Sequence, residues 1–157
     1  MKRGFLKING GLIPTLLAIT SEEQEKGLMH IKPPAPTMSF VYDRPRINSF
    51  WMKNTPAPLD IVFCNDNKII KICEGKPNST ELIGTVESNL VVEFPKGYCK
   101  ENNIQEGDSI TLINYPNPSK EQLEKKAPLK PWLLVDALQD RVHSDIRSVR
   151  IAKTTRR

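Results

Sequence analysis

Apolar and polar residues alternate in several short runs along the first two thirds of the chain. Met38, Phe40 and Tyr42 alternate with Ser39 and Val41, Phe50 and Met52 with Trp51 and Lys53, and Leu59, Ile61 and Phe63 with Asp60 and Val62. A period of two sends successive side chains to opposite faces, so each run predicts a strand with one face in a core. Residues 15–20 (Thr-Leu-Leu-Ala-Ile-Thr) and 90–94 (Leu-Val-Val-Glu-Phe) are short apolar runs and predict further strands. Asn65-Asp66-Asn67-Lys68 is turn chemistry and joins 58–64 to 69–74 as a hairpin. A polar loop runs from Gly75 to Glu81, residues 98–104 suit a helical turn, and Gln105-Glu106-Gly107-Asp108 turns into a last strand over 109–115.

A helix is predicted over 21–28. Thr20 and Ser21 are candidate caps, with Glu23 and Gln24 three residues beyond them. In that arrangement the hydroxyl and the later side chain satisfy each other's free backbone donors. Glu22, Glu23 and Glu25 suit the positive end of the helix dipole, and Leu28 and Met29 would anchor the segment to the core. The run Lys32-Pro33-Pro34-Ala35-Pro36 cannot continue a helix and predicts an extended loop. The pattern as a whole predicts a mainly β (α+β) fold: a small barrel-like or folded antiparallel sheet with one or two short helices. There is neither an internal repeat nor the strand–helix alternation of a doubly wound fold.

The pattern changes after Tyr115. Pro116-Asn117-Pro118-Ser119 is a break, residues 119–126 are charged, and Pro128 and Pro131 interrupt any helix there. From Trp132 the period becomes helical, with Leu134, Leu138, Val142 and Ile146 recurring every fourth residue. Two units are therefore expected: a domain over 1–115, and an extended or helical tail over 116–157.

Charge separates the same two units. The chain carries 23 Lys and Arg against 18 Asp and Glu, a formal charge of +5. Residues 116–157 hold ten of the basic and five of the acidic residues, so 1–115 holds thirteen of each and is neutral. A pI near 9.2 thus describes a neutral body with a basic tail rather than a basic protein. The tail reads either as a solvated end that aids solubility or as a contact for an acidic partner or nucleic acid.

Three cysteines, Cys64, Cys73 and Cys99, are an odd number without paired spacing, which favours free thiols in a reducing compartment. Lys2 and Arg3 imitate the start of a leader, but Lys7, Asn9 and Gly10-Gly11 interrupt it, and Pro14 stands inside the apolar run. The expectation is an uncleaved, soluble, cytoplasmic chain that makes no use of a membrane.

The stretch Phe50-Trp51-Met52-Lys53-Asn54-Thr55-Pro56-Ala57-Pro58-Leu59-Asp60-Ile61 resembles the central signature of the DUF192 family. In matching order, Glu22-Glu23-Gln24 with Gly27-Leu28-Met29 resembles its N-terminal helix, and Met38-Ser39-Phe40-Val41-Tyr42 the strand after it. Glu93-Phe94-Pro95-Lys96-Gly97 with Ile104, Gly107 and Asp108 resembles its closing segment. The likeness covers roughly residues 15–113. It implies one compact β-rich domain and brings no established activity. Residues 30–37 depart from the family in being proline-rich, as does Ala57 at a commonly aliphatic position. Nothing after Tyr115 matches the pattern. Such families occur in bacteria, archaea and some phages, so a place within a phage particle is an alternative location.

The densest polar cluster is Trp51, Lys53, Asn54, Thr55 and Asp60. An outward Trp beside Lys and Asn is a candidate platform for a sugar-like ligand: Trp supplies a stacking face, Asn both donors and acceptor. The same residues also read as a turn, a capping acid and a covered barrel end. Asp60, Glu93 and Asp108 are the candidate acids for hydrolysis. His30 and His143 lie far apart in sequence, and no Cys-x-x-Cys or His-x-x-x-His spacing exists, so neither metal nor cofactor is expected.

The tail carries the stronger expectation. A helix with the stripe Leu134, Leu138, Val142 and Ile146, led by Trp132, cannot bury that stripe alone and must dock on the body, a partner or a second copy. Arg147, Arg150, Lys153, Arg156 and Arg157 come next without an acid among them and suit an acidic surface. Contacts from all five to phosphates would give a log–log salt slope of about −3.5 to −4.5, but the aromatics of a single-strand platform are missing there. The leading expectation is a non-enzymatic interaction or structural module whose tail docks on a protein partner in a larger assembly. The alternative is a ligand-binding or hydrolytic domain using the Trp51–Asp60 segment.

Overall fold

The computed structural model describes residues 1–113. Seven strands and two short helices run in the order β1 (Lys2–Ile8), β2 (Gly11–Ala18), α1 (Ser21–Lys26), β3 (Met38–Phe50), β4 (Leu59–Asn65), β5 (Lys68–Gly75), β6 (Ile83–Pro95), α2 (Tyr98–Glu101) and β7 (Ile110–Ile113). The strands form one sheet in the order β5-β4-β6-β3-β2-β1-β7. It curls into a half-barrel, and its two edges meet at one end. There Lys68 bridges Ser109, Ile69 donates its backbone N–H to Asp108 at 2.9 Å, and Ile110 donates to Asn67 at 3.0 Å.

Local chemistry explains the tight turns. Asn9 and Gly10 join β1 to β2 with φ of 50° and 79°, and Asp66 and Asn67 join β4 to β5 with φ of 52° and 63°. Both are two-residue turns with positive φ at each position, the conformation whose twist matches that of paired strands. The pairing is antiparallel throughout except between β2 and β3, where Leu16, Leu17 and Ala18 run parallel to Met38, Ser39 and Phe40. A parallel pair needs a crossover, and residues 19–37, which include α1, supply it. The expected capping box is present: Thr20 Oγ1 accepts from the Glu23 N–H at 3.1 Å, and Glu23 Oε1 accepts from the Thr20 N–H at 3.1 Å.

Two apolar clusters lie on opposite faces of the sheet. Ile61, Phe63 and Val91 face one, with Leu28, Met38, Phe40, Phe50 and Met52. Val62, Cys64, Val92 and Phe94 face the other, with Leu6, Cys99, Ile104 and Ile110. Central strands covered on both faces read as unbroken apolar runs, which accounts for residues 61–64 and 90–92. Phe50 meets Phe40 and Phe63 edge-on, with ring centroids 4.8 and 5.7 Å apart. Phe63 in turn packs on bare backbone: Gly84 has φ +90°, and a Cβ there would sit in the Phe63 ring.

The structure redraws several expected boundaries. The N-terminal segment is strand β1, paired with β2 and β7. The strand expected at 15–20 begins at Gly11 and ends at Ala18. The runs at 38–42 and 50–53 are not two strands. One strand, β3, covers the first run and stops at Phe50, leaving Met52 and Lys53 outside it. Strand 90–94 is the end of a longer strand, β6.

Candidate functional site

The Trp51–Asp60 segment turns away from the sheet as soon as β3 ends. Phe50 and Met52 are fully buried, which leaves Trp51 half-buried between them. The turn is held by backbone: Met52 donates to Ser79 at 2.9 Å, Thr55 to Met52 at 3.0 Å, Asn78 to Thr55 at 3.0 Å and His30 to Asn54 at 2.7 Å. Thr55 is buried, and its hydroxyl donates to the Lys53 carbonyl at 3.1 Å. Asn54 is exposed and occupies the left-handed region with φ 54°, a conformation Asn tolerates better than most residues. The Lys53 ammonium lies 5.3 Å from the centroid of the Trp51 ring and partly covers the face expected to stack on a ligand. Trp51 Nε1 is buried without an acceptor among the described residues.

Asp60 serves a different task. Its Oδ2 accepts from the backbone N–H groups of Gly97 and Cys99, both at 3.1 Å, and so caps the start of α2 from strand β4. Among the described residues no hydrogen bond joins Asp60 to Trp51, Lys53, Asn54 or Thr55. The five residues, grouped within ten positions of the sequence, are thus divided between a turn and a cap. The other two acids are separate again. Glu93 is wholly buried between Met38 and Ile61 in the sheet, and it has an interaction partner. Asp108 Oδ2 accepts from the Gln105 N–H at 2.9 Å and from Asn9 Nδ2 at 3.3 Å, holding the turn before β7.

The thiols are held in the protonated form. Burial pushes Cys99 up to about 12, with the charge of Asp60 adding to it. Burial also raises Cys64, helped by the proximity of Cys99, and raises Cys73. A thiol raised in this way is a poor nucleophile near neutral pH. Among the described residues no group of three or more His, Cys, Asp and Glu side chains is placed to hold a metal ion.

Sequence reasoning overlooked an open cleft of about 350 Å³ beside α1. Its wall is a break in the β3–β6 ladder. Val41 pairs with Leu90 and Arg46 with Ser88, so Tyr42, Asp43, Arg44 and Pro45 stand against Asn89 alone. Four residues opposing one must bulge out of the sheet, and Asp43 to Arg46 are all exposed. Its floor is Gln24, which is 7% exposed and donates Nε2 to the carbonyls of Ala18 at 3.1 Å and Val41 at 2.9 Å. The signal was Pro45 inside an otherwise strand-like run, since proline in a strand interior marks an edge or a bulge.

The tail residues lie outside the described residues: Trp132, Leu134, Leu138, Val142 and Ile146 of the expected docking stripe, and Arg147, Arg150, Lys153, Arg156 and Arg157 of the basic end. No helix among the described residues is long and apolar enough to cross a membrane.

A curled seven-stranded sheet with a capped helix in its parallel crossover and a second short helix capped by Asp60 defines a small β-rich domain class. The chain belongs to the DUF192 family, described as "Uncharacterized ACR", which matches residues 5–112. The match reaches back to include most of β1, beyond the segment that carried the resemblance. Among solved structures the chain is similar to a protein of unknown function from Novosphingobium aromaticivorans DSM 12444, with 28% identity and a TM-score of 0.63 over 68% of this chain and 83% of that one. It is also similar to a Sinorhizobium meliloti 1021 protein described as a "putative transcription regulator", with 29% identity and a TM-score of 0.63 over 71% of this chain and 92% of that one. No curated protein matches.

Proposed function

We propose that this chain is a non-enzymatic interaction module: a neutral β-rich body with a basic C-terminal stretch that docks on an acidic protein surface within a larger assembly. A phage particle is one such assembly. The observation that carries the reading is the partition of charge. The whole net charge of +5 falls in residues 116–157, while the body carries thirteen residues of each sign. The body has two apolar cores of its own within residues 1–113, and the sequence spacing of Leu134, Leu138, Val142 and Ile146 suits an intermolecular contact.

The body's reactive side chains support the same reading. Asp60 and Asp108 spend acceptor capacity on backbone donors, and the thiols of Cys64 and Cys99 are raised by burial. The alternative, a ligand or hydrolytic site at Trp51, Lys53, Asn54 and Asp60, has less support, because Lys53 lies over the indole and Asp60 caps α2. Removing residues 116–157 tests the proposal: the body should keep its fold and lose salt-sensitive association. A truncated chain that associates like the full one would refute it.

A further inference from the structure

The cleft at the β3 bulge has the makings of a binding site independent of the tail. We propose that it takes a small monoanionic hydroxycarboxylate, with the carboxylate held by Arg44 and Arg46 and a hydroxyl donated to Gln24 Oε1.

Arg46 is the anchor of the site. Its guanidinium carbon lies 4.3 Å from the centroid of the Tyr42 ring. A guanidinium stacked on an aromatic face is held in place while its N–H donors point outward around the rim, the geometry that grips a carboxylate with two parallel hydrogen bonds. Arg44, two residues away on the same bulge, is exposed. Among the described residues neither arginine forms an ion pair with a carboxylate. Pro45 between them fixes φ and offers no N–H, which stiffens the wall that carries both groups.

Gln24 supplies the second half of the site. Its amide nitrogen is committed to Ala18 and Val41, so the side chain is locked. Among the described residues its Oε1 has no hydrogen-bond donor and is not sealed from solvent, and Gln24 lines the cleft. A buried amide presenting only its carbonyl oxygen asks the ligand for a donor. Ile19, Val41 and Pro45 add apolar wall for a short carbon chain.

Charge decides the class of anion. Arg44 and Arg46 contribute two positive charges and Asp43, on the same wall, one negative, leaving one uncompensated. A monoanion matches that balance, whereas a second negative charge on a phosphate monoester would face Asp43. A volume of about 350 Å³ suits a molecule the size of a sugar acid.

The test is a titration of the isotopically labelled full chain, monitored by NMR, with four probes. Gluconate has both the carboxylate and the hydroxyls, glucose only hydroxyls, propionate only the carboxylate, and inorganic phosphate a higher charge. Gluconate at millimolar concentration should shift the amides of residues 41–46 and the Gln24 side-chain NH₂ in a saturable way, and the other three should bind more weakly. Arg44→Gln and Arg46→Gln alter exposed side chains, so the fold should survive, and each should weaken gluconate about tenfold. No saturable shift, or unchanged affinity in both variants, would overturn the site. Phosphate binding more tightly than gluconate would overturn the assignment to a monoanionic carboxylate.

Discussion

Replacing Asp60 separates a structural acid from a catalytic one. The carboxylate sits on β4 and accepts two backbone N–H bonds, each 3.1 Å, from the first turn of α2. In Asp60→Ala both donors lose their partner in a half-buried place where water replaces it imperfectly. Loss of a capping side chain costs about 0.5–2 kcal/mol, and hydrogen bonds to a charged acceptor contribute about 1.5–3 kcal/mol. Partial solvent access at Asp60 favours the overlap of these ranges, about 2 kcal/mol. For a domain of this size that loss lowers the midpoint of thermal unfolding by about 8 °C. Asp60→Asn keeps an acceptor oxygen but gives up the charge, so its loss should be near half, about 1 kcal/mol. Thermal and urea unfolding of the full chain should therefore rank wild type above Asn above Ala. Amide exchange at Gly97 and Cys99 should quicken in the same order. An alanine variant that melts within a degree of wild type would refute the cap and return Asp60 to the set of chemically free acids.

Two further outcomes rest on the same geometry. Gly84→Ala should cost about 3 kcal/mol, because left-handed strain of about 1–2 kcal/mol adds to a clash with the Phe63 ring. Gly10→Ala, with φ +79° and open space around it, should show the strain alone; equal losses at the two sites in urea unfolding would contradict the Phe63 packing. The raised thiols bear on alkaline stability. Folded Cys64 and Cys99 keep their protons above pH 9, where the unfolded chain releases them, so the native state binds more protons and stability falls as pH rises from about 9 toward 12. The slope is at most about 1.4 kcal/mol per pH unit for each thiol, and Cys99→Ala should flatten it. A profile unchanged by that substitution would contradict it.

What the sequence disclosed and what it hid divide by range. The capping box at Thr20 and Glu23 and the hairpin around Asp66-Asn67 rest on neighbouring residues, and both were legible. The strand β1 was not, because Lys2-Arg3-Gly4-Phe5 shows no alternation and imitates a leader; Asn9-Gly10 was the local clue to its hairpin. The first half of β6 hid for a similar reason: Gly84, Ser88 and Asn89 are weak strand formers, and pairing with β3 holds them extended. The geometry around the candidate site was hidden for long-range reasons. Asp60 meets Gly97 and Cys99 across 37 and 39 residues, a contact no spacing rule anticipates. The stacking of Arg46 on Tyr42 depends on a bulge whose existence requires knowing that Asn89 alone lies opposite.

In the proposed reading the body is a self-sufficient fold and residues 116–157 make the association. The most direct test measures mass by light scattering for the full chain and for residues 1–115, at low and high salt, alone and with an acidic protein or nucleic acid, alongside the unfolding midpoint of each. The full chain should form a larger species at low salt, alone or with an acidic protein, and that species should dissociate at high salt. The shortened chain should stay monomeric and melt at the same temperature. A shortened chain that fails to fold, or two chains that are equally monomeric under every condition, would contradict the reading.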